Sequence, residues 1–466
     1  MNQKQQTAQG RQLSRREALK LMTIGSLGLA MGGNALTACS PKGSNGGNKA
    51  GSSSIKMSAP DGTKVATRKW AGLGDEVSLL GLGCMRFPQL PEDRQTRRGE
   101  LDQEKVNELI DYALEHGVNY FDTAPAYGDS ERATGVALSR HDRSSYFLAT
   151  KMSNGAWGPA ATFERAQTVF KTSLQNLQTN YFDFYLLHGI SDKESFNKRF
   201  IDNGVFEWLK EQKAAGAIRH LGFSYHGSND FLKELLGMYD WDFVQIQMNY
   251  VDWKKMSDDS DSETEYKMLE AAGIPVVIME PIRGGALANV NTKLKEMLAE
   301  KHPELTPAGV ALTFASSFPG VMCTLSGMSN MAQLKENIAT FTDFQPFNEE
   351  DNEFLMKVAE LYRNNPNIPC TGCQYCMPCP NGVNIPGNFA IYNNASDELA
   401  LPDPDNQDKN YKKNRKAFLK HYDSNLADGT RADSCTNCNA CIRKCPQHIR
   451  IPDYLKQLDE LVTKMR

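Results

Sequence analysis

The 466-residue sequence has no run of eighteen or more apolar residues outside its N-terminal segment. A membrane-spanning helix needs about twenty such residues, so none is predicted beyond that segment. An excess of positive charge is also missing. The chain has a formal charge of −4 and residues 1–38 carry a net +4, so the remaining residues carry −8. Because nucleic-acid binding requires clustered positive charge, this composition argues against nucleic acid as the main partner.

A glycine-rich dinucleotide turn is missing as well. Such a turn usually follows the first strand of a doubly wound sheet, whereas the segment 81–84 (Gly-Leu-Gly-Cys) lacks the later glycine and the helix. From residue 75 short apolar runs, which are candidate strands, alternate with amphipathic segments, which are candidate helices. Eight candidate strands within roughly 250 residues predict a (β/α)8 barrel. The candidate strands are Val77–Leu82, Val118–Phe121, Tyr146–Thr150, Phe182–Leu187, Ile218–Phe223, Phe243–Ile246, Pro275–Met279 and Val321–Leu325.

Polar residues stand where six of these candidate strands end. From the second strand to the seventh they are Asp122, Lys151, His188, Ser224, Gln247 and Glu280. The active sites of (β/α)8 barrels lie at the C-terminal ends of the strands. We therefore expect these side chains to share one rim of the barrel.

Four residues form a chemically coherent set: Asp122, Tyr127, Lys151 and His188. A free tyrosine has a pKa of about 10, and a nearby ammonium lowers the pKa of a phenol. A carboxylate beside the lysine keeps the ammonium charged and in place. A neutral histidine can hold a carbonyl oxygen through one N–H group. Together they predict protonation of a carbonyl by general acid catalysis.

The motifs around these residues resemble those of the aldo-keto reductases. The matching segments are Phe121–Ala124, Ala126–Gly128, Ala149–Lys151 and Tyr185–His188, which follow the family's order within residues 70–345. The resemblance implies an NAD(P)-dependent oxidoreductase that acts on a small carbonyl or alcohol. It also implies a catalytic tetrad of Asp122, Tyr127, Lys151 and His188, with Tyr127 as general acid/base.

The resemblance implies a nicotinamide site too, formed by Ser224, Gln247, Met279, Glu280, Pro281, Ile282, Gly284, Ser326, Gly327, Gln333 and Asn337. Tyr225 and Met279 replace an asparagine and a stacking aromatic residue that are usual in the family. Gly327 and Gln333 stand where the family has basic residues for the 2′-phosphate. A phosphate without such partners loses its strongest hydrogen bonds. The cofactor is therefore NAD or NADP, and the sequence argues against a preference for NADP.

Eight of the eleven cysteines lie between Cys370 and Cys445. The second run, Cys435-x2-Cys438-x2-Cys441-x3-Cys445-Pro, has the spacing of bacterial ferredoxins. The first run, Cys370-x2-Cys373-x2-Cys376-x2-Cys379-Pro, is one residue shorter in its last gap. Zinc sites favour cysteines in pairs, and disulfides suit an exported chain. Runs of three that are followed by Cys-Pro are instead typical of iron–sulfur clusters.

This C-terminal segment resembles the iron–sulfur branch of the aldo-keto reductases, which implies two [4Fe–4S] clusters. In two-cluster ferredoxins the fourth cysteine of each run binds the other cluster. One cluster is therefore assigned Cys370, Cys373, Cys376 and Cys445, and the other Cys435, Cys438, Cys441 and Cys379. The helical pattern between the runs, at Lys412–Tyr422, and the helix predicted to open at Pro452 favour a mainly helical ferredoxin-like domain.

The N-terminal segment is predicted to be an export signal. Residues 14–20 resemble a twin-arginine signal, and Leu36-Thr37-Ala38-Cys39 resembles a lipobox, which implies a lipid anchor at Cys39. We therefore predict a signal peptide at 1–38, a flexible tether at 39–65, a barrel at 66–345 and an iron–sulfur domain at 346–466. The expected location is the cell envelope on the periplasmic side.

Three functional hypotheses remain open from the sequence. The first is an oxidoreductase that uses Tyr127 as acid/base, with clusters that exchange electrons with a membrane partner. The second is an electron-transfer subunit whose barrel is a non-catalytic scaffold. The third is a barrel enzyme whose clusters are purely structural. Nicotinamide passes electrons in pairs and clusters pass them singly, so the arrangement of the two sites bears on the choice.

Overall fold

The computed structural model describes residues 58, 60, 62–70, 74–90, 99–155, 161–398, 400–445, 447 and 449–466. The predicted signal peptide, the predicted lipid-anchor residue Cys39 and most of the predicted tether lie outside these residues. Over the described ranges, no helix combines the length and the apolar character that a membrane crossing needs.

Ten strands occur in the described part of the chain: β1 (Thr67–Trp70), β2 (Asp75–Ser78), β3 (Leu80–Gly83), β4 (Tyr120–Asp122), β5 (Phe147–Met152), β6 (Phe182–Ile190), β7 (Ile218–Tyr225), β8 (Phe243–Gln247), β9 (Val276–Met279) and β10 (Val321–Ser326). Strands β3 to β10 form a closed barrel in sequential order, with β10 paired to β3. All eight pairings in the barrel are parallel. The predicted (β/α)8 barrel is confirmed, and the doubly wound sheet is excluded.

The first predicted strand was wrong in one respect. The apolar run Val77–Leu82 contributes to two strands, because β2 pairs with β1 in an antiparallel hairpin and only β3 enters the barrel. The hairpin is fixed to the N-terminal end of the barrel by Arg68, whose guanidinium donates hydrogen bonds to the carbonyl oxygens of Phe318 and Ser316, both at 2.7 Å. Hydrophobicity alone does not show where such a run changes direction.

Fourteen α-helices occur in the described residues. They are α1 (Gln103–Glu115), α2 (Ser130–Leu138), α3 (Phe163–Asn176), α4 (Lys193–Phe196), α5 (Val205–Ala214), α6 (Asn229–Leu236), α7 (Ser262–Ala271), α8 (Thr292–Lys301), α9 (Pro307–Ser316), α10 (Met331–Thr342), α11 (Glu349–Arg363), α12 (Ile385–Asp397), α13 (Tyr411–Asn425) and α14 (Ile451–Met465). Side-chain caps begin many of them; for example, the Asp102 carboxylate accepts from the Lys105 N–H at the start of α1.

The barrel interior is filled by side chains rather than open. Tyr120, Phe184 and Phe243 are fully buried there and belong to one inner cluster. Cys323 fits beside them because Gly81 has no side chain: a Cβ on Gly81 would lie 2.6 Å from the Cys323 sulfur. A packed interior leaves the C-terminal rim of the strands as the place for a cavity.

The C-terminal segment forms a helical unit with its own core. Helices α12, α13 and α14 contribute Phe389, Tyr422 and Leu455 to this core, which also contacts most of the clustered cysteines. The predicted helical arrangement is confirmed. Helix α11 follows the predicted boundary at residue 345, yet its buried residues Leu355 and Val358 pack in the core of the barrel.

Candidate active site and iron–sulfur sites

The four residues of the predicted tetrad meet at one rim of the barrel. Asp122 ends β4, Lys151 lies in β5 and His188 lies in β6, while Tyr127 follows β4 in the next loop. All four line a single cavity of about 860 Å³. A cavity of this size at the C-terminal ends of the strands can hold a nucleotide-sized molecule together with a small substrate.

Lys151 and Asp122 form a buried ion pair beside the phenol. Lys151 Nζ lies 2.5 Å from Asp122 Oδ1 and donates to the carbonyl oxygen of Thr123 at 2.9 Å. Burial raises the pKa of Asp122, and the Lys151 ammonium opposes that rise. The same ammonium lies 5.1 Å from the centroid of the Tyr127 ring. The pair therefore holds a cation next to the group that is predicted to lose and regain a proton.

The ring of His188 contacts Ser153 and the ring of Tyr127, and these contacts orient it. Ser153 Oγ lies 2.6 Å from His188 Nδ1. If that hydroxyl donates to Nδ1, the ring hydrogen is on Nε2, where it can be donated to a carbonyl oxygen. The Tyr127 and His188 rings meet edge to face, with centroids 5.7 Å apart. The phenol and the imidazole thus stand beside one another at the cavity.

Arg199 supports this histidine, although no sequence pattern singled it out. Its guanidinium donates to the carbonyl oxygens of Asn154 and Gly189, each at 3.0 Å, and to that of His188. Burial lowers the pKa of Arg199 to about 10. One side chain thereby joins the ends of β5 and β6 behind the cavity. The residue lies in an irregular π-helical turn, Asn197–Ile201, which no periodic pattern indicates.

Ten of the eleven predicted cofactor-binding residues line the same cavity: Ser224, Met279, Glu280, Pro281, Ile282, Gly284, Ser326, Gly327, Gln333 and Asn337. In the part of the cavity formed by β10 and α10, Asn337 donates to Ser326 Oγ at 2.8 Å. The Gln333 side chain accepts from the Ser329 N–H at 2.8 Å. Arg86 and Lys295 are basic residues of the lining that the sequence did not single out.

Gln247 is the exception, and its predicted position was wrong. Its amide nitrogen donates to Asp252 Oδ2 at 2.8 Å, and its amide oxygen accepts from Gln447 of the C-terminal unit at 2.9 Å. The cavity is lined instead by Gln245, two positions earlier on β8. Residues two apart face the same side of a strand, so both Gln245 and Gln247 were candidates for the amide that lines the cavity. The contact with Gln447 that holds Gln247 away from the cavity cannot be deduced from the barrel sequence.

In both cysteine runs, the residues on either side of the second cysteine have a left-handed backbone conformation. The residues on either side of Cys373, Gly372 and Gln374, both have φ of 62°. The corresponding residues beside Cys438, Asn437 and Asn439, have φ of 55° and 60°. Left-handed residues in such turns direct successive N–H groups inward, which is a known setting for iron–sulfur clusters. Consistent with this, the Gly372 N–H lies 3.4 Å from Cys370 Sγ.

The four cysteines of the first predicted set lie together in the structure. One small cavity is lined by Cys370, Cys373, Cys376 and Cys445. Cys441 interacts electrostatically with Cys435, Cys379 and Cys438 of its own predicted set and with Cys376 of the other. Burial raises the pKa of Cys370 to about 12 and that of Cys441 to about 11. Because a ligand must be a thiolate, such buried thiols suit a site where bound iron supplies compensating positive charge.

The first cysteine run also forms part of the large cavity. Cys373 and Tyr375 line it together with the tetrad, and Cys373 lines the small cysteine cavity as well. Two contacts at Thr371 fix this loop to the barrel. Arg86 Nη2 donates to the Thr371 carbonyl oxygen at 2.9 Å, and a Cβ on Gly284 would lie only 2.2 Å from the same oxygen. The loop therefore closes directly against the barrel rim.

These features agree with two family models. The aldo/keto reductase family matches residues 79–360, and the 4Fe–4S dicluster domain matches residues 369–450. The chain belongs to the aldo/keto reductase family. It is an oxidoreductase of that family with a C-terminal 4Fe–4S dicluster domain for electron transfer.

Similar proteins cover the barrel. The oxidoreductase YqkF of Bacillus subtilis is 27% identical over 56% of this chain and 87% of its own length. The L-galactose dehydrogenase of Arabidopsis thaliana is 24% identical over 66% of this chain and 97% of its own. Among solved structures, the holo form of an aldo-keto reductase from Bacillus halodurans is 25% identical, with a TM-score of 0.50, and covers 63% of this chain and 96% of its own.

Asp122→Asn should destabilise the fold, because it leaves the buried Lys151 ammonium without its carboxylate. Breaking such a pair costs on the order of 3–5 kcal/mol, whereas apolar residues of similar size in both positions are often tolerated. Thermal unfolding should show a lower Tm for Asp122→Asn and a recovered Tm for Asp122→Leu combined with Lys151→Met. A single variant as stable as the wild type would contradict this account of the pair.

Proposed function

We propose that the protein interconverts a small carbonyl compound and its alcohol with NAD or NADP, and that Tyr127 is the general acid/base. The observation that carries this proposal is the shared cavity: the whole tetrad and ten predicted cofactor residues line it. The relative from Arabidopsis thaliana is named for the oxidation of L-galactose, a small hydroxylated molecule, which supports this reaction class.

The chain's own residues account for the proton side of the reaction. In the reducing direction, His188 holds the carbonyl oxygen by an N–H group and Tyr127 gives its hydroxyl proton to that oxygen. The Lys151 ammonium, 5.1 Å from the Tyr127 ring, stabilises the phenolate that results. Asp122 keeps this ammonium in place. A bound nicotinamide would supply or accept the hydride. In the oxidising direction the phenolate takes the alcohol proton.

Two [4Fe–4S] clusters are proposed as the electron-transfer groups, one on each crossed-over cysteine set. The second set includes Cys438, which is exposed, so an external one-electron carrier can approach it. The first set includes Cys373, which lines the catalytic cavity. Clusters that only stabilised the fold would have no need of this placement. It supports clusters that exchange electrons with an outside partner over clusters that only stabilise the fold.

NAD is proposed as the preferred cofactor. Gln333 and Gly327 line the cavity where the family carries basic residues for a 2′-phosphate. The Gln333 side chain is already held by the Ser329 N–H. Neither residue offers the charged hydrogen bonds that a phosphate requires.

Export by the twin-arginine route is the fourth part of the proposal, with lipidation at Cys39 and a membrane partner for the electrons. It rests on the N-terminal sequence motifs. Export of a protein already folded around its clusters is compatible with the crowded cysteines, since cofactors are inserted before the chain crosses the membrane.

Tyr127→Phe should lower the rate by roughly 10²–10⁴-fold, because general acid catalysis contributes about that much. The wild type is first screened with NADH against a panel of aldehydes and ketones, and the variant is assayed on the best substrate. NADH binding should be unchanged. Tyr239→Phe is the matched control, since Tyr239 does not line the cavity. Equal rates for Tyr127→Phe and wild type would refute the assigned role.

Gln333→Arg should increase NADPH affinity by about tenfold or more, because a hydrogen bond to a charged group contributes about 1.5–3 kcal/mol. NADH affinity should change little. Fluorescence titration gives both dissociation constants, and Gln333→Met serves as the control without the charge. No gain in NADPH affinity would show that the 2′-phosphate does not reach this end of the cavity.

The iron content of cysteine variants tests the cluster assignment. The wild type should hold about eight irons, as two [4Fe–4S] clusters require. Cys370→Ser and Cys445→Ser should each lose about four, and the double variant should lose no more, because both residues bind one cluster. Cys445→Ser combined with Cys438→Ser should lose nearly all. A further loss in the first double variant would contradict the crossed-over sets.

Cys39→Ala should move the protein from the membrane fraction to the soluble fraction of its native host or of a host with twin-arginine export, because the acyl chains are attached to this thiol. Immunoblots of fractionated cells give the result, and Cys84→Ala, a change in a buried core cysteine, is the control. An unchanged distribution would exclude Cys39 as the anchor.

A further inference from the structure

The two cysteine sets have different surroundings. In the first, Cys373 is a wall of the catalytic cavity, and Tyr375 lines that cavity beside it. In the second, Cys438 is exposed, and Asn381 of the same domain donates toward its sulfur at 3.7 Å. One site therefore faces the barrel, and the other faces the surface of its own domain.

The first site is also fixed to the barrel by hydrogen bonds between the two units. Gln447, two residues after Cys445, lines the first cysteine cavity and forms a reciprocal amide pair with Gln247. Its nitrogen donates to Gln247 Oε1 at 2.9 Å, and Gln247 donates back at 3.3 Å. Gln247 ends the same strand that carries Gln245 into the catalytic cavity.

We propose that the first cluster site and the catalytic cavity are energetically linked, whereas the second cluster site is not. Nicotinamide binding then changes the reduction potential of the first cluster alone. Reduction of that cluster changes the nicotinamide affinity by the same factor, as linkage requires. Gln447 acts as a positioning residue in this link. The inference rests on the proposed nicotinamide dependence.

The physical basis is charge at a shared wall. Reducing the first cluster by one electron adds a negative charge next to Cys373, at the edge of a cavity that binds a charged dinucleotide. Charges separated by a few ångströms in a partly buried site interact more strongly than in water. The second site includes the exposed Cys438 and is therefore screened more by solvent and salt. Because, of the two cluster sites described, only the first borders the cavity, a bound dinucleotide should change the reduction potential of the first cluster and not that of the second.

The test is a potentiometric titration of the full chain with both clusters, followed by electron paramagnetic resonance, with and without saturating NAD⁺. The potential is set at an electrode with mediators, because dithionite reduces NAD⁺ itself. We expect the affinity for NAD⁺ to differ about tenfold between the oxidised and reduced protein. This corresponds to a shift of about 59 mV in the midpoint potential of one cluster. The midpoint potential of the other cluster should stay within error.

Two variants separate the link from a general disturbance of the domain. Gln447→Leu removes the amide pair and should reduce the NAD⁺-dependent shift by at least half. Asn381→Ala removes the contact at Cys438, and it should move the second cluster's potential while the NAD⁺-dependent shift persists. Binding of NAD⁺ with no shift, or with equal shifts in both clusters, overturns the inference alone. Absence of NAD⁺ binding in calorimetry overturns the proposed nicotinamide dependence and the inference with it.

Discussion

The buried pair of Lys151 and Asp122 is the interaction on which the site depends. An ammonium that is 1% exposed is stable only beside its carboxylate, and that carboxylate ends β4. The pair therefore ties two neighbouring strands together and sets the cation beside Tyr127. His188 reaches the same point from β6, held by Ser153 and, through the backbone, by Arg199. The closed barrel places β4, β5 and β6 side by side, so that these side chains reach one cavity.

The second constraint is the contact between the cysteine loop and the barrel rim. Thr371 lies so close to Gly284 that no side chain fits between them, and Arg86 binds the same carbonyl oxygen. The iron–sulfur domain consequently contributes part of the wall of the catalytic cavity. The site proposed for hydride transfer and the site proposed for one of the clusters thus share a boundary at Cys373.

Much of this arrangement follows from the sequence, because it depends on local patterns. Strand period and polar residues at strand ends predicted the barrel and the tetrad's common rim, and cysteine spacing predicted one set of four cysteines that line a single cavity. What they could not predict depends on long-range packing. Gln247 is hydrogen-bonded to Gln447, which is 200 residues away in the sequence, and Gln245 lines the cavity instead. Arg199 lies in an irregular turn, and the first apolar run divides between a hairpin and the barrel.

The proposed function joins a nicotinamide site and two iron–sulfur clusters in one protein. The most direct test is a fluorescence titration of NADH into anaerobically purified, folded full-length protein whose iron has been measured. We expect saturable binding of NADH to protein that holds about eight irons. Iron at that level with no affinity for NADH or NADPH would contradict it, and would leave the barrel as the scaffold of an electron-transfer protein.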